Sequence, residues 1–403
     1  MKIATATIAA IATLPVAFGC SRVLENKYDT IVSARSMDWA HTFYDYLLIH
    51  PKGQEMNGGW ESNNVKWKSK YGSVVSSIVG YMEYSGLGPG QVCEGMDIDV
   101  DGASDGLNEK GLGAHLLYLG EEDGTQYAVP SSDSDVNLNY LRLVRYILDN
   151  FATVQESVDA LKKVRLVGAG PNGICFGEGR DIGVHVAIQD ATGDSAVIEH
   201  VGGEMQIYHG RDVVVMANEP SMDKQMELLK KFQPWGGDIV LPKGLPGSVA
   251  SEDRFVRLNY YLQYTPKPTT EAMAIAIVKS LIASTNVPFG APYQGGVYPT
   301  WWESILDSTN LVYYFGWLET PNIIWTEFAK INEIGALEEG QPNLRLKPQD
   351  PALVGDVVCN FKTKGGESPK GCAKSTVNTD KQESTRPKAD KDKSLRGVEV
   401  ADK

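Results

Sequence analysis

Hydrophobic and polar positions alternate along the chain in short stretches, and the period of the alternation changes from one region to another. The stretches 184–188, 195–201, 205–209 and 213–217 are β-branched or alternate apolar with polar side chains, and short turns separate them. Closely spaced strands with short turns are typical of an antiparallel sheet. The same signals predict further strands, in chain order, at 29–34, 73–82, 114–119, 304–306, 311–317 and 323–327.

Helical spacing of apolar residues appears between these strands. The apolar residues from Leu138 to Leu148 recur every three or four positions, and Asn150 ends the helix that they predict. Thr153 and Glu156 have the spacing of a capping box, which begins a second helix over 153–163. Two more helices are predicted at 221–232 and 269–285, with Thr269 or Thr270 as the cap of the last.

The order of these elements indicates the fold class. Strands, helices, strands, a helix and strands follow one another without the regular alternation of βαβ units. This order favours an α+β layered fold with antiparallel sheets.

The first nineteen residues have the pattern of a secretory signal peptide. Lys2 supplies a basic start, residues 3–18 are apolar and uncharged, and 17–19 fit the small-x-small cleavage rule. An N-terminal anchor helix is the alternative, but the run is short for a bilayer span, and no later stretch reaches the ~20 apolar residues required. We expect cleavage between Gly19 and Cys20 and a secreted or periplasmic protein.

Charge and composition narrow the partners and divide the chain. The 403 residues carry a formal net charge of −13, which argues against nucleic acid or an anionic membrane surface as a general partner. After Gly355 the composition changes, and residues 360–403 are polar with almost no aromatic residues. We therefore predict a single domain over 20–355 and a polar, disordered tail over 356–403.

The five cysteines suggest one special thiol: Cys20, Cys93, Cys175, Cys359 and Cys372. An odd count in an exported protein suggests that one thiol stays free, and Cys20 is the candidate. The other four are enough for two disulfides. Cys359 and Cys372 are close enough in sequence to close a small loop, but the spacing leaves the connectivity open.

The sequence gives only a weak signal for a metal site. Asp97, Asp99 and Asp101 before Gly102 have the spacing that begins a calcium loop, but Asn108 stands where its last ligand, a glutamate, belongs. A solvated acidic loop is the other interpretation. The six histidines show no metal-ligand spacing, and we predict neither a metal nor a cofactor.

Cys20 has the makings of a reaction centre if it becomes the first residue. A thiol has a free pKa of ~8.5, and an α-amine has a reference pKa of ~7.7–8.0. The amine can therefore take the thiol proton near neutral pH without a histidine. Arg35 and Asp38 are predicted to lie beside Cys20, where an arginine favours the thiolate and an aspartate orients the amine.

Four motifs identify a family. Cys20-Ser21-Arg22 followed by Ala34-Arg35-Ser36-Met37-Asp38-Trp39 resembles the N-terminal motif of the choloylglycine hydrolases, which are N-terminal nucleophile hydrolases and include bile salt hydrolases and penicillin V acylases. The later motifs, in order, are Leu107–Gly113, similar to "MNEKGLG"; Val215–Pro220, similar to "LTNSP"; and Gly244–Gly247 with Arg254–Arg257, similar to "GLPGD…SRFVR". The resemblance implies an αββα four-layer sandwich of two antiparallel sheets.

The resemblance also implies roles for individual residues. Cys20 is expected to be the nucleophile and, through its amine, the base. Arg35 is expected to lie close to the sulfur, and Asp38 to hold the amine and the thiol. The oxyanion hole is expected to consist of the Asn218 side chain and the backbone N–H at Tyr118.

Two further residues complete the implied site. Arg254 is expected to anchor the polar network around Cys20, and Trp39 to line the pocket for the acyl group. A tyrosine at position 118 is similar to penicillin V acylases, which often have tyrosine there, whereas bile salt hydrolases usually have asparagine. The implied activity is cofactor-independent hydrolysis of a small acyl amide, with penicillin V and N-acyl-homoserine lactones first and conjugated bile salts second.

The sequence departs from the family pattern at two points, and Cys20 has one rival interpretation. Ser248 stands where the family has aspartate, and the stretch from Asn218 to Arg254 is shorter than in Gram-positive members, whose tetramers use it for assembly. The resemblance implies a homo-oligomer, but the shorter stretch leaves the oligomeric state, tetramer or dimer, open. The rival is a lipidated Cys20 in a non-catalytic binding protein, although Ala17 replaces the leucine of the usual lipobox.

Overall fold

Two large sheets carry the fold in the computed structural model, which describes residues 19–78, 99–120, 127–130, 136–168, 182–293 and 296–372. The unit discussed here ends at Gly371. None of the helices in these ranges is long and apolar enough to cross a bilayer.

The first sheet contains the beginning of the predicted domain. Its strands, in spatial order, are β14 (Val215–Met216), β1 (Cys20–Glu25), β2 (Val32–Asp38), β17 (Thr300–Asp307), β18 (Val312–Trp317), β19 (Ile324–Glu327) and β21 (Gly355–Asp356). Neighbours are antiparallel except β19 and β21. Cys20 pairs with Met37, so the first residue of β1 lies beside the last residues of β2.

The second sheet is antiparallel throughout. Its strands, in spatial order, are β13 (Glu204–His209), β12 (Ser195–Val201), β11 (Val184–Gln189), β8 (Gly113–Tyr118), β7 (Ala103–Asn108), β6 (Ser73–Ser77), β3 (Tyr46–His50) and β20 (Leu344–Leu346). Three small pairs complete the strands: β4 (Glu55–Asn57) with β5 (Lys66–Lys68), β9 (Val136–Asn139) with β10 (Val164–Val167), and β15 (Pro292–Tyr293) with β16 (Gly296–Val297).

Helices cover the outer face of each sheet. They are α1 (Leu143–Asn150), α2 (Val154–Leu161), α3 (Met222–Leu229), α4 (Ser251–Gln263), α5 (Glu271–Ala283) and α6 (Phe328–Glu333). Helix α1 packs on β7 and β8, whereas α4 and α5 pack on β1 and β2. The layer order is helix, sheet, sheet, helix, which confirms the predicted αββα sandwich.

Strand alternation divides the apolar side chains between two cores. In β3, Leu47 and Ile49 belong to the core that contains β1, β2 and the helices over them. Tyr46 and Leu48 belong to the core beneath α1. Successive side chains of a strand point to opposite faces, so a strand that is covered on both sides is apolar throughout.

Two predicted helix starts are confirmed, whereas the helix predicted from 138 and helices α4 and α6 differ from prediction. Thr153 accepts from the Glu156 N–H at 3.2 Å, and Thr270 accepts from the Met273 N–H at 3.1 Å. The helix predicted from 138 begins at Leu143, because β9 and a 3₁₀ turn occupy the preceding residues. Helix α4 was not predicted, because polar residues and tyrosines interrupt its apolar face.

The packed residues extend past the predicted boundary at 355. Val357, Val358 and Phe361 are buried, and the unit continues to Gly371. These apolar side chains pack despite the polar residues around them, so a composition average over the segment missed them. The remainder of the predicted tail, 373–403, lies outside the described residues.

In the described part of the acidic loop, the aspartates bind arginine side chains and are not arranged as calcium ligands. Asp99 accepts from Arg345 Nε at 2.8 Å, and Asp101 accepts from Arg142 Nε at 2.5 Å. Asp101 is buried, so it does not belong to a solvated loop either. Asp97 lies outside the described residues, and within the described ranges no cluster of acidic, histidine or cysteine side chains is placed to hold a metal.

The cysteines differ in state. Cys20 is a free thiol, as expected. Cys359 and Cys372 are both disulfide-bonded. Cys93 and Cys175 lie outside the described residues, so the suggested link between Cys359 and Cys372 stays a prediction.

Candidate active site

Cys20 lies at the start of β1 with its sulfur inside the fold. The residue is only 1% exposed. Its backbone N–H donates to Asn218 Oδ1 at 2.6 Å, and its Sγ lies 3.6 Å from Met37 Sδ and 4.0 Å from the carbonyl oxygen of Asp38. The thiol and the backbone nitrogen of Cys20 are thus both buried and in contact with side chains or backbone of Asn218, Met37 and Asp38.

Asn218 ties three segments together. It follows β14, the strand beside β1, and its Oδ1 accepts from both Cys20 N and Arg254 Nη2, the latter at 2.8 Å. Its Nδ2 donates to the carbonyl oxygen of Tyr118 at 2.7 Å. Donors on one side and an acceptor on the other fix the orientation of the amide. One N–H of Nδ2 remains for a further acceptor.

Arg254 fastens α4 to the start of β1. Its Nη1 donates to the carbonyl oxygen of Cys20 and to Ser21 Oγ, the latter at 2.6 Å, and its Nε donates to the carbonyl oxygen of Val249 at 2.9 Å. With the bond to Asn218, four of the five N–H groups of the guanidinium have protein acceptors. Arg254 therefore positions both Cys20 and Asn218.

Asp38 ends β2 next to the residue that precedes Cys20. Thr300 Oγ1 donates to its Oδ1 at 2.5 Å, and the sheet register shifts at this point, between Thr300 and Trp302. A Cβ built on Gly19 would lie 2.9 Å from Asp38 Oδ2. Burial raises the pKa of Asp38 to about 7, which outweighs the opposing effects of Arg254, Thr300 and Arg35.

Arg35 acts on Cys20 through its charge, with the Met37 side chain in contact with both residues. Arg35 Nη2 lies 3.3 Å from Met37 Sδ, the same sulfur that contacts Cys20 Sγ. Sequence analysis assigned no role to Met37. Its position two residues after Arg35, on the same face of β2, is the signal that could have revealed it.

The charges around the thiol oppose one another. Burial raises the pKa of Cys20, the positive charge of Arg35 lowers it, and Asp38 raises it again. The net direction is upward. The thiol therefore keeps its proton until a base is available, and the α-amine created by cleavage before Cys20 would be that base.

A second polar cluster, here called the inter-sheet network, lies between the sheets behind Arg35. Its members are Arg35, Asp105, His115, Tyr313, Ser33, Gln189 and Arg22. Asp105 accepts from His115 Nδ1 at 2.5 Å and from the Tyr313 hydroxyl at 2.7 Å, and its Oδ2 lies 3.8 Å from Arg35 Nη1. Burial acts to raise the pKa of Asp105, but His115 and Arg35 bring it below its usual value.

The inter-sheet network continues to the far side of β1. His115 Nε2 lies 2.8 Å from Ser33 Oγ, Gln189 Nε2 donates to the same oxygen at 2.9 Å, and Arg22 Nη2 donates to Gln189 Oε1 at 2.8 Å. No motif in the sequence marks this cluster, because its members come from six strands that only the sheet packing brings together.

Aromatic side chains line one side of the site. The Trp39 ring lies 5.2 Å from Phe43 and 5.9 Å from Tyr118 between centroids, the latter edge to face. Trp301 Nε1 donates to the carbonyl oxygen of Trp39 at 3.0 Å. The predicted pocket residue thus belongs to an apolar surface that begins one residue after Asp38.

The geometry brings the predicted residues together, and comparison with known proteins gives the family. The profile of the linear amide C–N hydrolases, choloylglycine hydrolase family, matches residues 20–333, beginning at Cys20. The chain belongs to this family and is a hydrolase of linear amide C–N bonds.

Individual relatives agree with this assignment. The chain is 31% identical over 334 residues to the penicillin V acylase of Pectobacterium atrosepticum, covering 79% of this chain and 83% of the relative. It is 25% identical to a bile salt hydrolase/transferase of Bifidobacterium longum, covering 72% and 88%. The structure of penicillin V acylase from Agrobacterium tumefaciens superposes with a TM-score of 0.69 and 31% identity, covering 86% of this chain and 98% of that one.

Proposed function

We propose that the chain, once cut before Cys20, is a cysteine amidohydrolase whose nucleophile and base are the thiol and α-amine of that residue. One observation carries the proposal. The Cys20 nitrogen already donates to Asn218 Oδ1 at 2.6 Å, while the thiol beside it is buried and free. Cleavage would leave an amine in this position.

The reaction follows from these groups. The α-amine takes the thiol proton, and the thiolate attacks the amide carbon to form a tetrahedral oxyanion. The C–N bond breaks as the ammonium returns the proton to the leaving nitrogen, which leaves a thioester on Cys20. Water then attacks the thioester with the amine as base, the C–S bond breaks, and a carboxylic acid leaves.

The oxyanion has two candidate donors. One is the second N–H of Asn218 Nδ2. The other is the backbone N–H of Tyr118. Because Leu119 N donates to Gly183 O across the β8–β11 edge, the backbone groups of Tyr118 point the other way, toward Asn218. Donors fixed in advance stabilise the charge that develops in the tetrahedral intermediate.

The aromatic wall supports an apolar acyl group. Trp39, Phe43 and Tyr118 suit a phenoxyacetyl or fatty acyl chain. We therefore place penicillin V and N-acyl-homoserine lactones first among substrates, in line with the penicillin V acylases at 31% identity. Conjugated bile salts are the second candidate, supported by the Bifidobacterium relative at 25%.

The proposal extends to export and assembly. The apolar leader before Gly19 supports cleavage at Gly19–Cys20 during secretion, so that export and activation are the same step. A homo-oligomer, tetramer or dimer, remains our expectation from the family resemblance.

The test compares a chain that begins at Cys20 with one that keeps Gly19. Both are assayed with penicillin V, an acyl-homoserine lactone and a glycine-conjugated bile salt, and intact mass establishes that Cys20 is unmodified. We expect hydrolysis by the first chain only. Cys20→Ser should lose more than about 10³-fold in kcat without a change in melting temperature. Activity in Cys20→Ser, or a lipid adduct on Cys20, would contradict the proposal.

A further inference from the structure

A carboxylate lies next to the proposed reaction centre without a role in it. Glu219 directly follows Asn218 and is half-buried, and it stands where the family motif "LTNSP" has serine. A Cβ built on Gly120 would lie 3.7 Å from Glu219 Oε2 and 3.7 Å from the Tyr118 hydroxyl. The carboxylate and the Tyr118 ring therefore border the same space.

Glu219 and Gly19 both line one small cavity. Tyr293, Tyr298 and Arg254 form other parts of its wall, and its volume is about 10 Å³. The negative charge of Glu219 adds to burial in raising the pKa of Tyr293, which agrees with a carboxylate near that hydroxyl.

This cavity adjoins the nitrogen that must protonate the leaving group. Under the proposed mechanism the ammonium of Cys20 gives its proton to the departing amine, so that amine must come within hydrogen-bond reach of Cys20 N. The space next to Cys20 N is the space that Gly19 occupies before cleavage. Substituents on the departing nitrogen then face Glu219.

The cation in this wall is poorly placed to offset Glu219. Arg254 directs four of its five N–H groups at protein acceptors, among them the carbonyl oxygen of Cys20 and Asn218 Oδ1. Its guanidinium also lies near Asp38, where its charge opposes the rise in pKa that burial causes. It therefore does not offer a carboxylate the paired donors that arginine uses in recognition.

We propose that Glu219 selects the amine half of the substrate, disfavouring leaving groups that carry a carboxylate and favouring uncharged ones such as a lactone or a carboxamide. The inference rests on the proposed function and narrows it: of the substrates named above, the acyl-homoserine lactone has the better-matched leaving group. Like charges a few ångströms apart in a partly buried site should cost about tenfold in kcat/KM.

The experiment uses two substrates that differ only in charge. The acyl group that the chain beginning at Cys20 hydrolyses best is joined either to glycine or to glycinamide. The wild-type chain should favour the glycinamide by about tenfold or more. Glu219→Gln should bring the ratio of the two kcat/KM values to within about threefold, mainly by faster cleavage of the glycine conjugate.

Two control variants isolate the charge at position 219. Glu219→Asp should keep the preference, and Glu227→Gln, an exposed glutamate on α3 paired with Lys230, should leave it unchanged. Because the ratio is taken within each variant, a smaller folded fraction cancels. An equal ratio in wild type and Glu219→Gln overturns this inference alone. Failure of the wild-type chain to cleave either conjugate or the substrates named above overturns the proposed function and this inference with it.

Discussion

Two aspartates, one at the end of β2 and one on β7, are equally buried, but their pKa values are shifted in opposite directions. Asp38 and Asp105 are both 0% exposed. The pKa of Asp38 is raised to about 7, whereas that of Asp105 is lowered. The contacts explain the difference: Asp105 accepts from His115 and Tyr313 and faces Arg35, while Asp38 Oδ2 has no hydrogen-bond partner among the described residues.

Asp38 can still accept a new hydrogen bond, whereas the hydrogen bonds and the ion pair of Asp105 are already formed. Cleavage before Cys20 would create a new cation beside Asp38, and the Oδ2 of Asp38 can accept from it. The inter-sheet network has no such gap at Asp105. Burial alone therefore does not decide the charge of a carboxyl group; the number of donors aimed at it does.

After Cys20 itself, the largest effect on turnover is expected at Asn218. Asn218→Ala should lower kcat by about 10²–10³-fold with little change in KM, because it removes an oxyanion donor and the acceptor for Cys20 N. Steady-state kinetics on the chain beginning at Cys20 measures this. Asn150→Ala, a buried asparagine of α1 bonded to the carbonyl oxygen of Tyr146, is the matched control and should change stability only. A normal kcat for Asn218→Ala would place the site elsewhere.

A smaller effect is expected at Asp105, the positioning residue for Arg35. In Asp105→Asn the charge of Arg35 is less offset and favours the thiolate more strongly, so the acid limb of the kcat/KM profile should move to lower pH by up to about one unit. The folded state should also lose stability.

The control for Asp105 is another buried ion pair. Asp149→Asn removes the partner of Arg145 in α1, away from Cys20, and should reduce stability without moving the pH profile. If both variants give the wild-type profile, the inter-sheet network holds the sheets together but does not tune the thiol.

The smallest effect on turnover is expected at Asp45, which borders the inter-sheet network. Burial raises its pKa to about 7, against the effects of Trp302, Arg35 and Ser76. The folded protein thus binds a proton between pH ~4 and ~7 that the unfolded chain releases, and stability falls as pH rises through this window.

Asp45→Asn removes that dependence. Relative to wild type it should gain up to about 3 kcal/mol in the free energy of unfolding on going from about pH 5 to about pH 8, with kcat nearly unchanged. Urea unfolding at the two pH values measures the difference. An equal difference between the two proteins at both pH values would show that Asp45 stays ionised in the fold.

The parts of the fold that the sequence predicts well are those with local signals. Strand β12 has the predicted bounds, and Thr153 and Thr270 begin their helices as predicted, because alternation and capping depend on neighbouring residues. Helix α4 and the hairpin of β4 and β5 were missed. In these, Phe255, Met56 and Trp67 are buried by distant segments and not by a periodic local pattern.

The candidate site divides in the same way. Motifs in the sequence named Cys20, Asp38, Asn218 and Arg254, and the structure brings them together. Thr300 and Asp105 carry no motif that was recognised. They reach Asp38 and Arg35 across strand pairs and across the space between the sheets, and no spacing along the chain encodes such contacts.

The crowding at Gly19 limits how this protein can be produced in a foreign host. Any side chain in place of that hydrogen would begin 2.9 Å from a carboxylate oxygen of Asp38. An affinity tag or an initiator methionine placed directly before Cys20 would therefore disturb the fold as well as cap the amine. A gene design that keeps glycine at this position avoids the crowding but leaves the amine capped, whereas one that removes everything before Cys20 avoids both faults.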